Sequence, residues 1–359
     1  MKGIGWIFFG MLIVGPLAGM AQSGIAGQSG EPAGAGATKG ADAAPSPSFS
    51  DAKALAAKGW LDQALTELNA LSKVEPEEAG VERLRGTILY QKEQLQQAEA
   101  AFARAVAEDA GDRESMEMEG ITLYRLGKPL EAIPLLEKAD TENSGANADP
   151  HYVLALCYSD AKRYDDARHA FALQFGFPPD SAEAYLVTAR LFLRREFVDQ
   201  AALFAHKALE VSPSIPAAHQ LLGEIALAKG NVPLAVTELE AEQKLNPVDG
   251  TVYDRLGDAY VRTAQFEKAR QALNKAVLLE PNATGPYILL GEALIELGQP
   301  IQAVHYLDHA ATMDPGNYIT HNFLGQAYRA LGREADSVRE FKRAVELQHG
   351  SDLKPARAR

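Results

Sequence analysis

The sequence contains a single cysteine, Cys157, and fewer basic than acidic side chains. One thiol excludes an intrachain disulfide and a cluster of thiolate ligands for a metal. The chain has 48 acidic and 35 basic residues and a formal net charge of −13, so it lacks the excess of Lys and Arg that a duplex-binding protein needs. We therefore expect no nucleic-acid partner.

Local motifs for catalysis are also missing. The chain has no nucleophile elbow, no phosphate-binding Walker loop and no His-Glu-x-x-His zinc helix. His305 and His309 lie four residues apart, a spacing that places two metal ligands on one helix face, but no third ligand accompanies them. The sequence therefore predicts a protein that is not an enzyme and holds no metal or cofactor.

Long apolar runs are absent except at the N-terminus. Lys2 precedes the apolar residues 4–17, and Gly19-Met20-Ala21 offers a small-x-small cleavage pattern. This order is typical of a secretory signal peptide. We predict a signal peptide at 1–21 and an exported chain, periplasmic or secreted, without a membrane span after cleavage. The alternative is an uncleaved N-terminal anchor, because residues 4–21 reach the short end of the lengths that span a bilayer.

Both flanks of the remaining chain differ from it in composition. In residues 22–47, Gly, Ala, Ser and Pro make up 19 of 26 residues and aromatic residues are absent, which predicts a disordered linker. Residues 352–359 contain Lys354, Arg357 and Arg359 and are predicted to form a basic tail. The segment between these flanks, 48–351, is predicted to be helical and repetitive.

The repetition is visible as a column of small residues. Each step in the column is 34 residues, except one of 35 that spans a Gly/Asn/Asp-rich stretch at 141–149. The column consists of Ala64, Ala98, Ala132, Ala167, Ala201, Ala235, Ala269, Ala303 and Ser337. A proline column with the same 34-residue step contains Pro179, Pro213, Pro247, Pro281 and Pro315. Small residues allow close helix packing, and each proline ends a helix.

The stretch 250–281 shows what one repeat contains. It reads Tyr253, Leu256-Gly257, Tyr260, Ala269, Leu273 and Pro281, and it resembles the tetratricopeptide repeat, a helix–turn–helix unit of 34 residues. The resemblance covers nine units: 45–78, 79–112, 113–146, 148–181, 182–215, 216–249, 250–283, 284–317 and 318–351. It implies an all-α fold, a right-handed α-solenoid superhelix in which each repeat buries its apolar face on its neighbours.

In this family the first helix of each pair lines the concave face, where ligands usually lie. The resemblance therefore selects concave positions as candidate partner contacts. The apolar and aromatic candidates are Tyr90, Tyr124, Tyr152, Leu193, Leu227, Val261 and Ile295. The charged candidates are Arg194, Asp254, Asp258, Arg262 and Glu296. An apolar floor with charged edges suits an extended or helical peptide. The alternative is that the apolar stripe packs between neighbouring first helices.

The repeat register also assigns roles to three histidines. His151, His219 and His321 occupy the position that holds Tyr185, Tyr253 and Tyr287 in other units. We therefore predict them to be aromatic packing residues and not metal ligands. Cys157 shares its position with aliphatic residues, which predicts a buried small apolar side chain.

The predicted function is an exported scaffold or adaptor that binds a protein or peptide in its concave groove. One alternative is a component of an envelope assembly or secretion machinery, such as a pilus, polysaccharide-export or outer-membrane complex. Another is a groove that binds a saccharide or a lipid. The last helix offers a further choice, because Val338, Phe341 and Val345 can support self-association of the C-terminal end, whereas its charged residues can form a polar cap.

Overall fold

The computed structural model describes residues 47–72, 78–140 and 150–352, with side chains to residue 349. The predicted signal peptide, the predicted linker up to residue 46 and the tail from residue 353 lie outside the described residues. The described ranges form eighteen α-helices and no strand, so the all-α solenoid predicted from the sequence is confirmed. None of these helices combines the length and the apolar character needed to cross a membrane.

The helices form nine consecutive pairs, each made of a first and a second helix. The first helices are α1 (Phe49–Ala57), α3 (Val81–Gln91), α5 (Arg113–Arg125), α7 (Pro150–Asp160), α9 (Ala182–Arg194), α11 (Ala218–Ala228), α13 (Gly250–Arg262), α15 (Thr284–Glu296) and α17 (Tyr318–Ala330). The second helices are α2 (Leu61–Leu71), α4 (Leu95–Glu108), α6 (Pro129–Asp140), α8 (Tyr164–Phe175), α10 (Val198–Val211), α12 (Val232–Leu245), α14 (Phe266–Leu279), α16 (Pro300–Met313) and α18 (Glu334–Asp352).

Packing between the pairs decides which face of the array is the inner one. Each second helix packs on the first helix of the next pair. First helices of successive pairs also contact one another, as α13 does with α15 and α15 with α17. Among the described helices, no comparable contact joins successive second helices. The first helices therefore lie closest together and line the inner face, which we call the first-helix surface.

The small-residue column lies where the helices of a pair cross. Its eight alanines, from Ala64 to Ala303, have no exposed surface, and Ser337 is 2% exposed. Leu-Gly pairs recur every 34 residues in the first helices of four units, at 222–223, 256–257, 290–291 and 324–325. Their leucines are buried as well, with Leu256 at 1% and Leu290 at 0% exposure. The glycine of each pair faces the second helix of its own unit, and a Cβ built on Gly257 would overlap the Leu273 side chain. Close helix approach explains both columns.

Gly257→Ala should lower the free energy of unfolding by about 1–3 kcal/mol, the usual effect of overpacking a core. Leu273 is fully buried, and a Cβ on Gly257 would come within 2.4 Å of its side chain. Urea titration followed by circular dichroism measures the change. Gly285→Ala is the matched control, because its Cβ would have only Asp254 Oδ1 nearby, at 4.0 Å, and should stay within about 0.5 kcal/mol. Equal losses in both variants would contradict this account of the glycine column.

Two units place a charged residue where later units have the buried leucine. In the register of Leu256, the second unit has Arg85 and the third has Glu119, which are 7% and 9% exposed. Arg85 donates to Glu82 Oε1 at 2.6 Å and to the backbone carbonyl of Leu68 at 2.9 Å. Oε2 of Glu119 is buried without a hydrogen-bond partner among the described residues. The N-terminal units therefore have a more polar core than the C-terminal ones.

Candidate functional site: the first-helix surface

The predicted apolar stripe, which consists of Leu193, Leu227, Val261 and Ile295, is only partly accessible. Leu193, Val261 and Ile295 are half-buried and pack against the hydrophobic cores below them. Leu227 is 9% exposed and belongs to the same core cluster as Leu256 and Tyr260. The packing alternative therefore describes Leu227, because neighbouring first helices cover its side chain. A role in partner binding stays a prediction for Leu193, Val261 and Ile295.

The predicted tyrosines lie in the N-terminal half of the first-helix surface, each in a different setting. Tyr90 is half-buried and lies under the Arg125 guanidinium, 4.8 Å from the ring centroid. Tyr152 is 39% exposed, and its ring is 5.8 Å from that of Phe171. Tyr124 is half-buried, and burial raises the pKa of its phenol, against the attraction of Arg195. The three rings are thus available in part, but they form no ring-to-ring contact with one another.

The predicted charged residues of α13 are coupled by ion pairs. Arg262 Nη2 lies 2.8 Å from Asp258 Oδ2, one helical turn away. Asp254 Oδ2 lies 3.5 Å from Arg255 Nη1, whereas Asp254 Oδ1 is buried and has no hydrogen-bond partner among the described atoms. Burial raises the pKa of Asp254, and Asp258 and Glu280 add to this effect against the attraction of Arg255.

The acidic charge continues onto α15. Glu296 is exposed and Glu292 is half-buried. Burial raises the pKa of Glu292, and the neighbouring carboxylates of Glu296 and Asp258 raise it further. Four predicted contacts, Asp254, Asp258, Val261 and Glu296, thus share one continuous area of α13 and α15. Arg194 is exposed but lies on α9, two pairs away.

The two histidines with metal-ligand spacing and the cysteine do not lie on the exposed part of the first-helix surface. His305 and His309 are exposed on α16, where His309 packs on Tyr287 with a centroid distance of 4.6 Å. In the described part of the chain, no group of three or more His, Cys, Asp or Glu residues could hold a metal. Cys157 has no exposed surface, and burial raises the pKa of its thiol to about 12. This thiol is protonated and inert at neutral pH.

A cavity of about 350 Å³ opens on the second-helix side of the array. It lies between α14 and α16, and His305, Tyr306 and Arg270 are among its lining residues. Arg270 is already paired with Glu267, its Nη2 lying 2.5 Å from Oε1. The lining also includes Leu294 of α15, but none of the predicted partner contacts.

The histidines of the tyrosine position have partners that sequence reasoning missed. His219 Nδ1 lies 2.7 Å from Glu238 Oε2, and His321 Nδ1 lies 2.8 Å from Glu340 Oε2. Each pair joins the first and second helix of one unit. Both pairs are 19 residues apart, and this repeated spacing is the signal that could have revealed them. These histidines thus combine packing with a polar contact to the second helix of their own unit.

Comparison with known proteins gives matches over much of the chain. Superkiller complex protein 3 of Mus musculus is 26% identical over 236 residues, which cover 63% of this chain and 15% of that protein. Superkiller protein 3 of Schizosaccharomyces pombe is 24% identical over 151 residues, which cover 39% of this chain and 11% of that protein. The chain thus spans less than a sixth of the length of either relative.

Two solved structures of similar chains are smaller than this chain. MamA from Desulfovibrio magneticus RS-1 is 22% identical with a TM-score of 0.45, covering 48% of this chain and 98% of its own. YrrB is 21% identical with a TM-score of 0.46, covering 53% of this chain and 100% of its own.

Family profiles match nearly the whole described region. An anaphase-promoting complex, cyclosome, subunit 3 profile matches residues 91–172. One tetratricopeptide repeat profile matches 250–283, and another matches 51–113, 186–250 and 288–352. The profile with three matches alone covers more than half of the 359 residues. This agrees with the 34-residue period and the nine helix pairs. The chain therefore belongs to the tetratricopeptide repeat family.

Proposed function

We propose that this protein is an exported, non-catalytic scaffold that binds a protein or peptide segment along its first-helix surface. The observation that supports this most is the direct contact between successive first helices, such as α13 with α15. This contact merges the side chains of separate units into one extended face. An extended face with mixed charge and partial apolar exposure suits a chain-like ligand.

Export remains a proposal that rests on residues 1–21. The apolar run and the small-x-small exit favour secretion, and the periplasm or the exterior is the compartment that we propose. The chemistry of the described residues is compatible with either location, since the single thiol is buried.

The placement of the tyrosines favours a peptide over a saccharide as the ligand. Saccharide sites use exposed aromatic faces, and here Tyr253, Tyr260 and Tyr287 are 2%, 7% and 9% exposed. Their rings contribute to the core and are covered by neighbouring helices. Tyr152 and Tyr318 are each 39% exposed, and Tyr152 packs on Phe171. Exposed charged side chains, which pair well with a polypeptide, dominate the surface of α9, α13 and α15.

Site-specific photo-cross-linking tests the proposed function. A photoreactive phenylalanine analogue replaces Glu296, which is exposed on α15, or Leu278, which is 78% exposed on α14. We expect irradiation in the native host to join a polypeptide to the Glu296 position and to leave the Leu278 position unlabelled. Mass spectrometry of the adduct identifies the partner.

The Leu278 position controls for random collision, because both positions are exposed and they lie on different faces of the array. Equal labelling at both positions would contradict a groove on the first helices. Adducts that contain only glycan or lipid would contradict a peptide partner.

A further inference from the structure

The charge of the first-helix surface changes sign along the array. On α9, Arg190 and Arg194 occupy the ninth and thirteenth positions of their unit. On α15, the same two positions hold Glu292 and Glu296. The ninth position of α11 and of α13 is also acidic, with Glu224 and Asp258. Between the two ends these acids have basic partners, since Arg262 Nη2 lies 2.8 Å from Asp258 Oδ2 and Arg255 Nε lies 3.7 Å from Glu224 Oε1. The surface is therefore basic at α9 and acidic at α15.

The charges at the two ends are not neutralised by ion pairs among the described residues. Within the described ranges, no ion pair involves Arg190 or Arg194 on α9, or Glu292 or Glu296 on α15. Nearby charges do pair, for example Arg195, which directly follows α9 and whose Nη2 lies 2.6 Å from Asp160 Oδ1 on α7. Complementary charge on a partner gives specificity and register to a complex, so these unpaired side chains are the ones available to a ligand.

Carboxylates at the acidic end repel one another, and a cationic ligand would reduce this repulsion. Burial and neighbouring carboxylates raise the pKa of Asp254 and of Glu292. A cationic group that a ligand places beside Glu292 and Glu296 would reduce the repulsion among these carboxylates.

The distance between the two ends sets the length of the ligand. Packed helices lie 8–10 Å apart, so the three steps from α9 through α11 and α13 to α15 span roughly 25 Å. An extended chain rises about 3.3 Å per residue, which corresponds to about eight residues. The surface between the ends includes Val261, which is half-buried and offers apolar contact.

We propose that the surface from α9 to α15 binds an extended, bipolar peptide with carboxylates at one end and Lys or Arg side chains about eight residues away. The acidic end of the peptide lies at Arg190 and Arg194, and its basic end lies at Glu292 and Glu296. This inference rests on the proposed function, because it assigns a ligand chemistry to the same surface. A peptide of uniform charge pairs at one end and is repelled at the other.

Fluorescence anisotropy of the full chain with synthetic peptides tests the inference. The probes are a labelled peptide with two Glu, eight uncharged residues and two Lys, the same peptide in reversed order, and a version with Gln at both ends. We expect at least one bipolar order to bind at least tenfold tighter than the Gln-ended version, and this difference should shrink as salt is added.

Charge reversal gives the sharper test. Glu292→Lys with Glu296→Lys should weaken the preferred bipolar probe at least tenfold, as should Arg190→Glu with Arg194→Glu. Combining all four changes inverts the polarity of the surface, so the preference should move to the reversed probe. Lys244→Glu with Asp308→Lys, at exposed positions of the second helices α12 and α16, is the matched control and should leave binding unchanged. Circular dichroism checks that every variant keeps its helical content.

The outcomes separate this inference from the proposed function. Equal affinity for the Gln-ended and bipolar probes contradicts the bipolar ligand and leaves peptide binding intact. Binding that is insensitive to charge reversal, or no binding of any probe, also contradicts the inference. Cross-linking at Glu296 judges the proposed function independently of these probes.

Discussion

Replacing Leu227 by Asp is expected to destabilise the array by at least about 3 kcal/mol, because a core leucine is lost and a carboxylate is buried without a partner. Leu227 lies in the stripe that the repeat register assigns to the partner surface, yet it is 9% exposed and packs in the core of the C-terminal units. Urea titration followed by circular dichroism measures the loss.

Leu278→Asp is the matched control for this substitution. Leu278 is 78% exposed on α14, so the same chemical change there should stay within about 0.5 kcal/mol. If Leu227→Asp kept the melting temperature and abolished partner binding, Leu227 would be a contact residue and its assignment to the core would be wrong.

Replacing Glu119 by Leu should stabilise the protein by roughly 3 kcal/mol at pH 8, since one pKa unit corresponds to about 1.4 kcal/mol. The side chain is 9% exposed, and burial together with the charge of Glu99 raises its pKa from 4.5 to about 7. At pH 8 the wild-type carboxylate is ionised in a buried position. Leucine is the residue that other units, such as those with Leu222 and Leu256, use in the same register.

The raised pKa of Glu119 also fixes the sign of the pH dependence. Between pH 4.5 and about 7, the unfolded state has released the Glu119 proton and the folded state keeps it, so the contribution of this residue to stability falls as the pH rises. Below this range both states are protonated, and above it both are ionised. The stability gain of Glu119→Leu should therefore be about 3 kcal/mol smaller at pH 4 than at pH 8.

Glu119→Gln is the matched control for charge. It removes the ionisation and keeps a polar side chain of similar size, so its difference from the wild type should show the same dependence on pH with a smaller gain. Urea titrations at several pH values measure all three proteins. A gain for Glu119→Leu that does not change with pH would contradict a buried, titrating carboxylate.

The fold follows from the sequence because its determinants recur. The alanine column and the Leu-Gly pairs repeat every 34 residues, and each recurrence tests the register independently. Ala235 and Ala269 are both fully buried, as a close crossing of helices requires. A single unit would have been ambiguous, whereas nine units in one register define the helix pairs.

The accessible part of the candidate site is harder to predict, because it depends on how far neighbouring first helices diverge. Leu227 and Val261 occupy the same position of adjacent units, yet one is buried and the other half-buried. Their position in the repeat does not predict this difference in exposure, because side chains of other units decide how much of each residue is covered. The unpaired charges Arg190 and Glu292 pose the same problem, because pairing depends on side-chain geometry between helices.

Some residues missed from the sequence did carry a signal. Glu119 stands in the register of a buried leucine, and a charge at a core position marks a strained or polar interface. The His219–Glu238 and His321–Glu340 pairs share one spacing across units. An alignment of the nine units that compares the residues at each position, exceptions included, would have identified all three features.

Hydrogen–deuterium exchange of the full chain, with and without the partner recovered by cross-linking, tests the central claim most directly. If the partner lies on the first-helix surface, exchange should slow in α9, α11, α13 and α15 and stay unchanged in α10, α12 and α14. Slower exchange confined to the second helices, or no change in any helix with the partner bound, would contradict the account.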